Sequence, residues 1–285
     1  GAHLDHLGYN EDRNALDINN AIRNGADDNA SGTSAIIELA KLLKKKSPKN
    51  NNYLILHFSG EELGLFGSKY WLERPTYKGN LNYMINLDMV GRYDTARKLT
   101  VGGYGTSTKW ADILAKTPTA LITHYDSAGA GPSDHASFYR KDMPVLFMFT
   151  GSHSDYHKAT DDWDKINYTG EAAIIQYVNN IIKNTDAAGK LDFLKTRDDV
   201  QIIGPDDAEV RAATVSIIPI NRTIDQVYTT LVKHKIMLGK GDFYAVRPLI
   251  DMDIPRKPGV LRISFLHYTS MEEIDQLIEA LKVAL

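Results

Sequence analysis

The chain has 285 residues, 43% of them hydrophobic and 24% charged, a balance that fits a folded globular protein and argues against disordered or fibrous structure. With 33 Lys and Arg against 36 Asp and Glu, the formal net charge is -3, so no global basic field exists to hold a nucleic-acid backbone. Cysteine is absent, which excludes disulfides, thiolate metal sites and cysteine nucleophiles and leaves any metal to His, Asp and Glu; nor does any apolar run approach the roughly 18 residues of a membrane span.

The chain opens on Gly1-Ala2-His3-Leu4-Asp5, which reads as the tail of a strand with nothing before it. An N-terminally truncated fold is expected, and Gly1 in place of Met, with no signal peptide in view, points to a processed chain or a fragment. After Ser31, residues Ala35, Ile36, Leu39, Leu42 and Leu43 recur at helical spacing, and Lys44 to Lys46 suit the helix C-terminus. Leu54 to Phe58, Tyr83 to Leu87 and Pro144 to Phe149 are short apolar runs of the buried-strand type. Thr169 to Ile182 carries a second helical stripe: Ala173, Ile174, Tyr177, Val178 and Ile181. Residues 1–196 are therefore expected to form an α/β domain with a mostly parallel twisted sheet flanked by helices.

From Ala187 to Asp199 the sequence turns polar and charged, the texture of a linker. Beyond it, a strand is expected over 213–220, a helix over 224–234, a strand or turn over 235–244 and a strand over 260–267. A last helix follows over 270–285, with Ser270 as N-cap, Glu272 and Glu273 in its first turn, and Ile274, Leu277, Ile278 and Leu281 as its stripe. Residues 197–285 read as a small α+β module.

Five ligand-type residues stand at or just beyond expected strand ends. They are His3, Asp28 (in Gly25-Ala26-Asp27-Asp28-Asn29-Ala30-Ser31-Gly32), Glu62 (in Ser59-Gly60-Glu61-Glu62-Leu63-Gly64), Asp88 and His157 (in Ser154-Asp155-Tyr156-His157). The carboxyl ends of strands in an open α/β sheet converge on one crevice, where distant residues meet. Two His and three carboxylates, one of them bridging, suit a pair of Zn²⁺ ions roughly 3.5–4 Å apart. Taken singly, each also fits a turn, a cap or the surface. Glu61-Glu62 is harder to place that way, because adjacent acids after an apolar strand are costly near a core unless a cation pairs with them. One can ligate while the other serves as a general base.

These motifs, together with Phe58 to Ser68 and Asn86-Leu87-Asp88-Met89-Val90-Gly91, resemble in order those of the co-catalytic di-zinc aminopeptidases. That family includes bacterial leucyl aminopeptidases and, more distantly, glutamate carboxypeptidases and glutaminyl cyclases. The resemblance runs from Gly1 to about Arg197. It implies two Zn²⁺ ions: Asp28 bridging, His3 and Glu62 each on one side, and Asp88 and His157 completing the two spheres. Glu61 would take a proton from the water that attacks the peptide carbonyl. Asp5 would orient His3 through its other ring nitrogen, and Tyr156 would donate to the oxyanion. Peptides with a free N-terminus and an extracytoplasmic location are implied; the oligomeric state is not. Ser133-Asp134-His135 either borders the pocket or caps the next helix. His6, His124 and His153 are expected to be structural or exposed, and Met84, Met89, Met143 and Met148 to fill the core.

In the C-terminal part, Thr214 to Ile217, Gly241 to Ala245, Gly259 to Tyr268 and Glu272 to Asp275 resemble the small domain of cysteine-desulfurase-like, class V aminotransferase enzymes. That resemblance gives Arg262 a substrate carboxylate to hold, or else a surface ion pair. The large domain with its Schiff-base lysine has no counterpart here, so the module reads as structural or vestigial, joined to the first part near Asp192 to Asp199. A zinc-dependent exopeptidase leads; a non-catalytic truncated or chimeric hydrolase fold, a glutaminyl-cyclase-like activity and a PLP-dependent activity stay open.

Overall fold

A computed structural model gives the architecture for all residues except 12, 19, 46, 47, 49, 97, 197–199, 204–212 and 266–268. The first part is a layered α/β arrangement. Its strands are β1 (Ala2–His3), β2 (His57–Phe58), β3 (Met84–Leu87), β4 (Leu99–Gly102), β5 (Thr123–Tyr125) and β6 (Val145–Phe149). Strand β1 pairs parallel with β2, β3 parallel with β6 and β4 parallel with β5. Only β4 against β6 is antiparallel among these pairs. Gly1 stitches β1 to β3: its amine donates to the Ile85 carbonyl at 2.6 Å, and its carbonyl accepts from Leu87 N at 3.0 Å. The ladders are β1-β2 and β3-β6-β4-β5, and the two Gly1 bonds set β1 alongside β3 in the parallel sense, so that β1, β2, β3 and β6 all point one way.

The apolar runs become strands because both of their faces are covered. Helices α1 (Gly32–Lys45) and α5 (Tyr168–Ala188) bury Ala35, Ile36, Leu39 and Leu43, and Ile174, Tyr177, Val178, Ile181 and Ile182, against Leu87, Val101, Leu146 and Met148. A second cluster holds Phe58, Met84, Phe138, Tyr139 and Val145, with Trp71 and Leu72 packed on it. Those residues bring in α2 (Phe66–Glu73) and α4 (His135–Tyr139); α3 (Lys109–Ala115) adds Trp110, Ile113 and Leu114 to the first cluster.

Several sequence expectations are corrected. The strand expected over Leu54 to Phe58 shrinks to His57–Phe58, because β1 offers only a two-residue partner; Leu54 and Ile55 remain 39% and 38% exposed. Ala173 lies on the solvent side of α5, and Ile182 takes its place in the stripe. That helix also runs through Ala187 and Ala188, the expected start of the linker. Lys46 and residues 197–199 fall outside the described residues.

The chain divides into two compact units, Gly1–Thr196 and Arg197–Leu285. The second is a four-stranded antiparallel sheet, ordered β7 (Val200–Ile203), β8 (Thr214–Pro219), β10 (Val260–Ser264) and β9 (Gly239–Gly241). Helices α6 (Ile224–Lys233) and α8 (Met271–Ala284) bring Val227, Leu231, Leu277, Ala280 and Ala284 onto Ile217, Leu261 and Ile263. A short α7 (Val246–Asp251) places Leu249 against Ile254 and Val260. The stripe of α8 differs from expectation: Ile278 is 45% exposed, and Ala280 and Ala284 are buried in its place. The end of the expected strand, at Leu266 and His267, lies outside the described residues. No described helix is long and apolar enough to cross a membrane.

Candidate metal centre

The co-directed strands deliver their following residues to one edge of the sheet, as an open α/β fold requires. His3 closes β1, Glu61 and Glu62 follow β2, Asp88 follows β3, and His157 lies in the chain beyond β6. Asp28 comes from the turn Ala26–Ser31 that leads into α1. Asp28 stands between the two histidines. Its Oδ1 is 3.2 Å from His3 Nε2 and its Oδ2 is 3.3 Å from His157 Nε2. Asp88 Oδ1 joins the first side, 3.4 Å from His3 Nε2. Glu62 Oε2 joins the second, 3.1 Å from His157 Nε2.

Proton bookkeeping decides what this arrangement wants. His157 Nδ1 is 3.0 Å from the Asn14 carbonyl and His3 Nδ1 is 3.1 Å from the Asp5 carbonyl. A carbonyl only accepts, so each Nδ1 carries the hydrogen, and each Nε2 is turned to the carboxylates, where it offers a lone pair whenever the ring is neutral. Nε2 and carboxylate oxygens thus face one another on both sides of Asp28, an arrangement that calls for a cation, either a proton or a metal ion, between them. His3 Nε2 and Asp88 Oδ1 are buried with no hydrogen-bond partner among the described residues. Four ligands tetrahedral around Zn²⁺ at about 2.0–2.1 Å stand roughly 3.4 Å apart, close to the separations here. The donor set and its spacing fit divalent cations of borderline softness on either side of Asp28.

The electrostatics agree. Burial opposes charge on His3, yet the nearby carboxylates of Asp28, Asp5 and Asp88 outweigh it and raise its pKa. The same competition, won by Asp28 and Glu62, pushes His157 up to about 10. Burial drives Glu61 up to about 9, with Asp88, Glu62 and Asp134 adding to it against the pull of His3. Burial also raises Asp88. A cavity that strains to acquire positive charge is one a metal ion would relieve.

Each expected site residue can be located. His3, Asp28, Asp88, Glu62 and His157 converge, with Glu61 beside them. Asp5 sits differently from the simple orienting role: its carbonyl is nearer His3 Nδ1 than its carboxylate, which is 3.7 Å away. The carboxylate accepts from the Glu61 and Glu62 amides at 3.3 and 3.4 Å, so it braces the acidic pair as well. Tyr156 is half-buried and stacks on His157, with ring centroids 3.8 Å apart. It lines a cleft with Asn14, Glu61, Glu62, Leu65, Pro132 and His157. Asp134 is fully buried at the N-terminus of α4 without capping it through its side chain.

Other residues of the surround are not singled out by the sequence. Asp161 accepts from the Asp27 and Asp28 amides at 2.9 and 3.1 Å and pairs with Arg92, which also reaches Asp155. Asp27 accepts from Gly91 N and faces His153 Nε2 at 3.1 Å. Asn29 ties Gly32 and Met89 to the same turn. Lone buried acids in polar stretches carry no distinguishing signal until the fold brings them to a shared backbone. His124 is exposed and His153 is buried in a structural contact, but His6 lies against Glu62 Oε1 at 2.8 Å.

The fold is thus an open α/β sheet with His and carboxylate side chains gathered at its strand ends. The sequence matches peptidase family M28 over residues 1–182, and the chain belongs to that family. A second, shorter match to class V aminotransferases covers residues 166–277. Among relatives, an aminopeptidase of Bacillus subtilis is 33% identical over 123 residues, covering 40% of this chain and 26% of that protein. An uncharacterised protein of Escherichia coli is 27% identical over 199 residues, covering 56% of this chain and 60% of that protein. The solved structure of a zinc aminopeptidase from Bacillus subtilis shares the fold at a TM-score of 0.50 and 23% identity, over 67% of this chain and 45% of that one. The chain thus spans from about a quarter to three fifths of the length of these relatives.

Proposed function

We propose that the chain is a zinc-dependent exopeptidase of the aminopeptidase type, holding two Zn²⁺ ions and removing N-terminal residues from peptides. The observation that carries this reading is Asp28, whose two carboxylate oxygens face His3 and His157 on opposite sides, in a chain of a peptidase family. His3, Asp28 and Asp88 would hold one ion; Asp28, Glu62 and His157 would hold the other. Zinc, when bound, polarises the scissile carbonyl and makes the attacking water easier to deprotonate.

The chain's own residues do the rest. Glu61, braced through its amide by Asp5, takes a proton from the attacking water at its carboxylate as the C–O bond forms. It returns that proton to the leaving amine as the C–N bond breaks. The Tyr156 hydroxyl, on the cleft wall beside His157, donates to the oxyanion. Both Nδ1 contacts, to the Asn14 and Asp5 carbonyls, keep the two imidazoles turned toward Asp28; such partners typically matter 10–100-fold.

Residues 1–196 carry this chemistry in our proposal, and residues 197–285 form a module akin to the small domain of class V aminotransferases. Its Arg262 guanidinium lies 3.9 Å over the Phe243 ring, which supports a packing role for this arginine. Extracytoplasmic placement accompanies the proposal and rests on the family alone. The test is metal content and hydrolysis of aminoacyl-anilides by the purified chain. About two zinc per chain and metal-dependent release of the anilide are expected; trace metal and inertness after Zn²⁺ addition would reject the proposal.

A further inference from the structure

His6 is not among the five candidate ligands, yet its side chain is only 7% exposed and reaches the second side of the cage. Its Nδ1 lies 2.8 Å from Glu62 Oε1, a hydrogen-bond distance, and 3.8 Å from Asp28 Oδ2, too far for one. The other oxygen of the same carboxylate, Oε2, faces His157 Nε2. Glu62 is thus gripped on one oxygen and offered on the other. The His6 ring is held edge-on to His157, with centroids 5.8 Å apart. It is also wedged against Gly25, where an added Cβ would come within 2.5 Å of the ring.

We infer that His6 is a positioning residue: Nδ1–H donates to Glu62 Oε1 and restricts that carboxylate to a single oxygen on the ion shared with Asp28 and His157. This rests on the two-ion reading above. The physical reason is competition for lone pairs. A carboxylate oxygen engaged by a short N–H bond is a poorer ligand, so Glu62 binds through Oε2 alone and a coordination position stays open for substrate. Asn14 Nδ2 on the Glu62 carbonyl (3.0 Å) and Asp5 on its amide fix the backbone from which this grip acts.

Cobalt(II) titration of the full chain, followed by visible absorption and competition with a chelator, tests the inference independently of turnover. In His6→Ala, Glu62 should collapse onto both oxygens. One of the two ions should bind about 10–100-fold more weakly, and its visible band should lose intensity as coordination number rises. His6→Phe, which keeps a ring against Gly25 but cannot donate, should behave like His6→Ala and covers the case in which the smaller variant fails to fold. His6→Gln, which keeps a donor, should recover much of the affinity and the band, and His124→Ala on the surface should match wild type. Ala and Phe variants indistinguishable from wild type, or a Gln variant as defective as Ala, would overturn the inference. A wild-type chain that takes up no Co²⁺ would instead overturn the two-ion reading on which it rests.

Discussion

Glu61 and Glu62 are neighbours in sequence and meet opposite surroundings. Glu62 lies between His6 and His157, and those contacts hold its pKa below the usual value despite burial. Glu61 shares the desolvation without such partners, and its carboxyl is pushed up to about 9. Both acids line the cleft; in our proposal Glu62, gripped by two histidines, is the ligand and Glu61, with no such grip, is the base once bound cations offset the burial that raises it. Glu61→Gln keeps the size and removes the proton acceptor, so aminoacyl-anilide turnover should fall about 10²–10⁴-fold, the range for a positioned acid–base group. Zinc stoichiometry by elemental analysis should stay at the wild-type value. A variant that loses its metal along with its activity would show that Glu61 belongs to the cage rather than to the chemistry.

Elements built on local signals are the ones legible beforehand. Ser270 accepts from Glu273 N while the Glu273 carboxylate accepts from Ser270 N, a reciprocal cap that starts α8. Thr223 and Gln226 do the same for α6. Ser270→Ala should lower the denaturation free energy of the second unit by about 1 kcal/mol, seen as a shifted urea midpoint at constant slope; no shift would mean that packing alone sets this helix. Period likewise revealed α1, with its lysine tail, and α5, and continuous apolar runs revealed β3 and β6. What escaped has a common cause. Strands β4 and β5 are four and three residues long, too short for periodicity to accumulate, and exist because neighbours offer them a ladder. The antiparallel setting of β4 is a property of pairing, invisible in any single segment. At the site, motifs pointed to the five candidate ligands and Glu61, which the fold brings together. The roles of His6, Asp161 and the Asp5 carboxylate toward the Glu61 and Glu62 amides depend on contacts spanning dozens of residues, which no local pattern encodes.

At the scale of the whole molecule, the candidate ligands all belong to the first unit, and among the described residues no comparable group of His, Asp and Glu donors occurs in the second. Metal bound only by a folded unit stabilises that unit by mass action, by about 2.7 kcal/mol when free metal is a hundredfold above its dissociation constant. For a unit of roughly 200 residues, each kcal/mol moves the melting temperature by about 2–4 °C. The candidate ligands come from β1, β2, β3, the turn before α1 and the chain beyond β6, so losing the proposed ions would cost the first unit links across much of its sheet. Scanning calorimetry of the full chain, stripped with chelator and then resupplied with Zn²⁺, should therefore show the transition of the first unit rising by roughly 5–11 °C. His157→Ala should abolish most of the rise, since it removes a donor shared with both Asp28 and Glu62. A wild-type chain whose melting ignores zinc would contradict a metal centre in Gly1–Thr196.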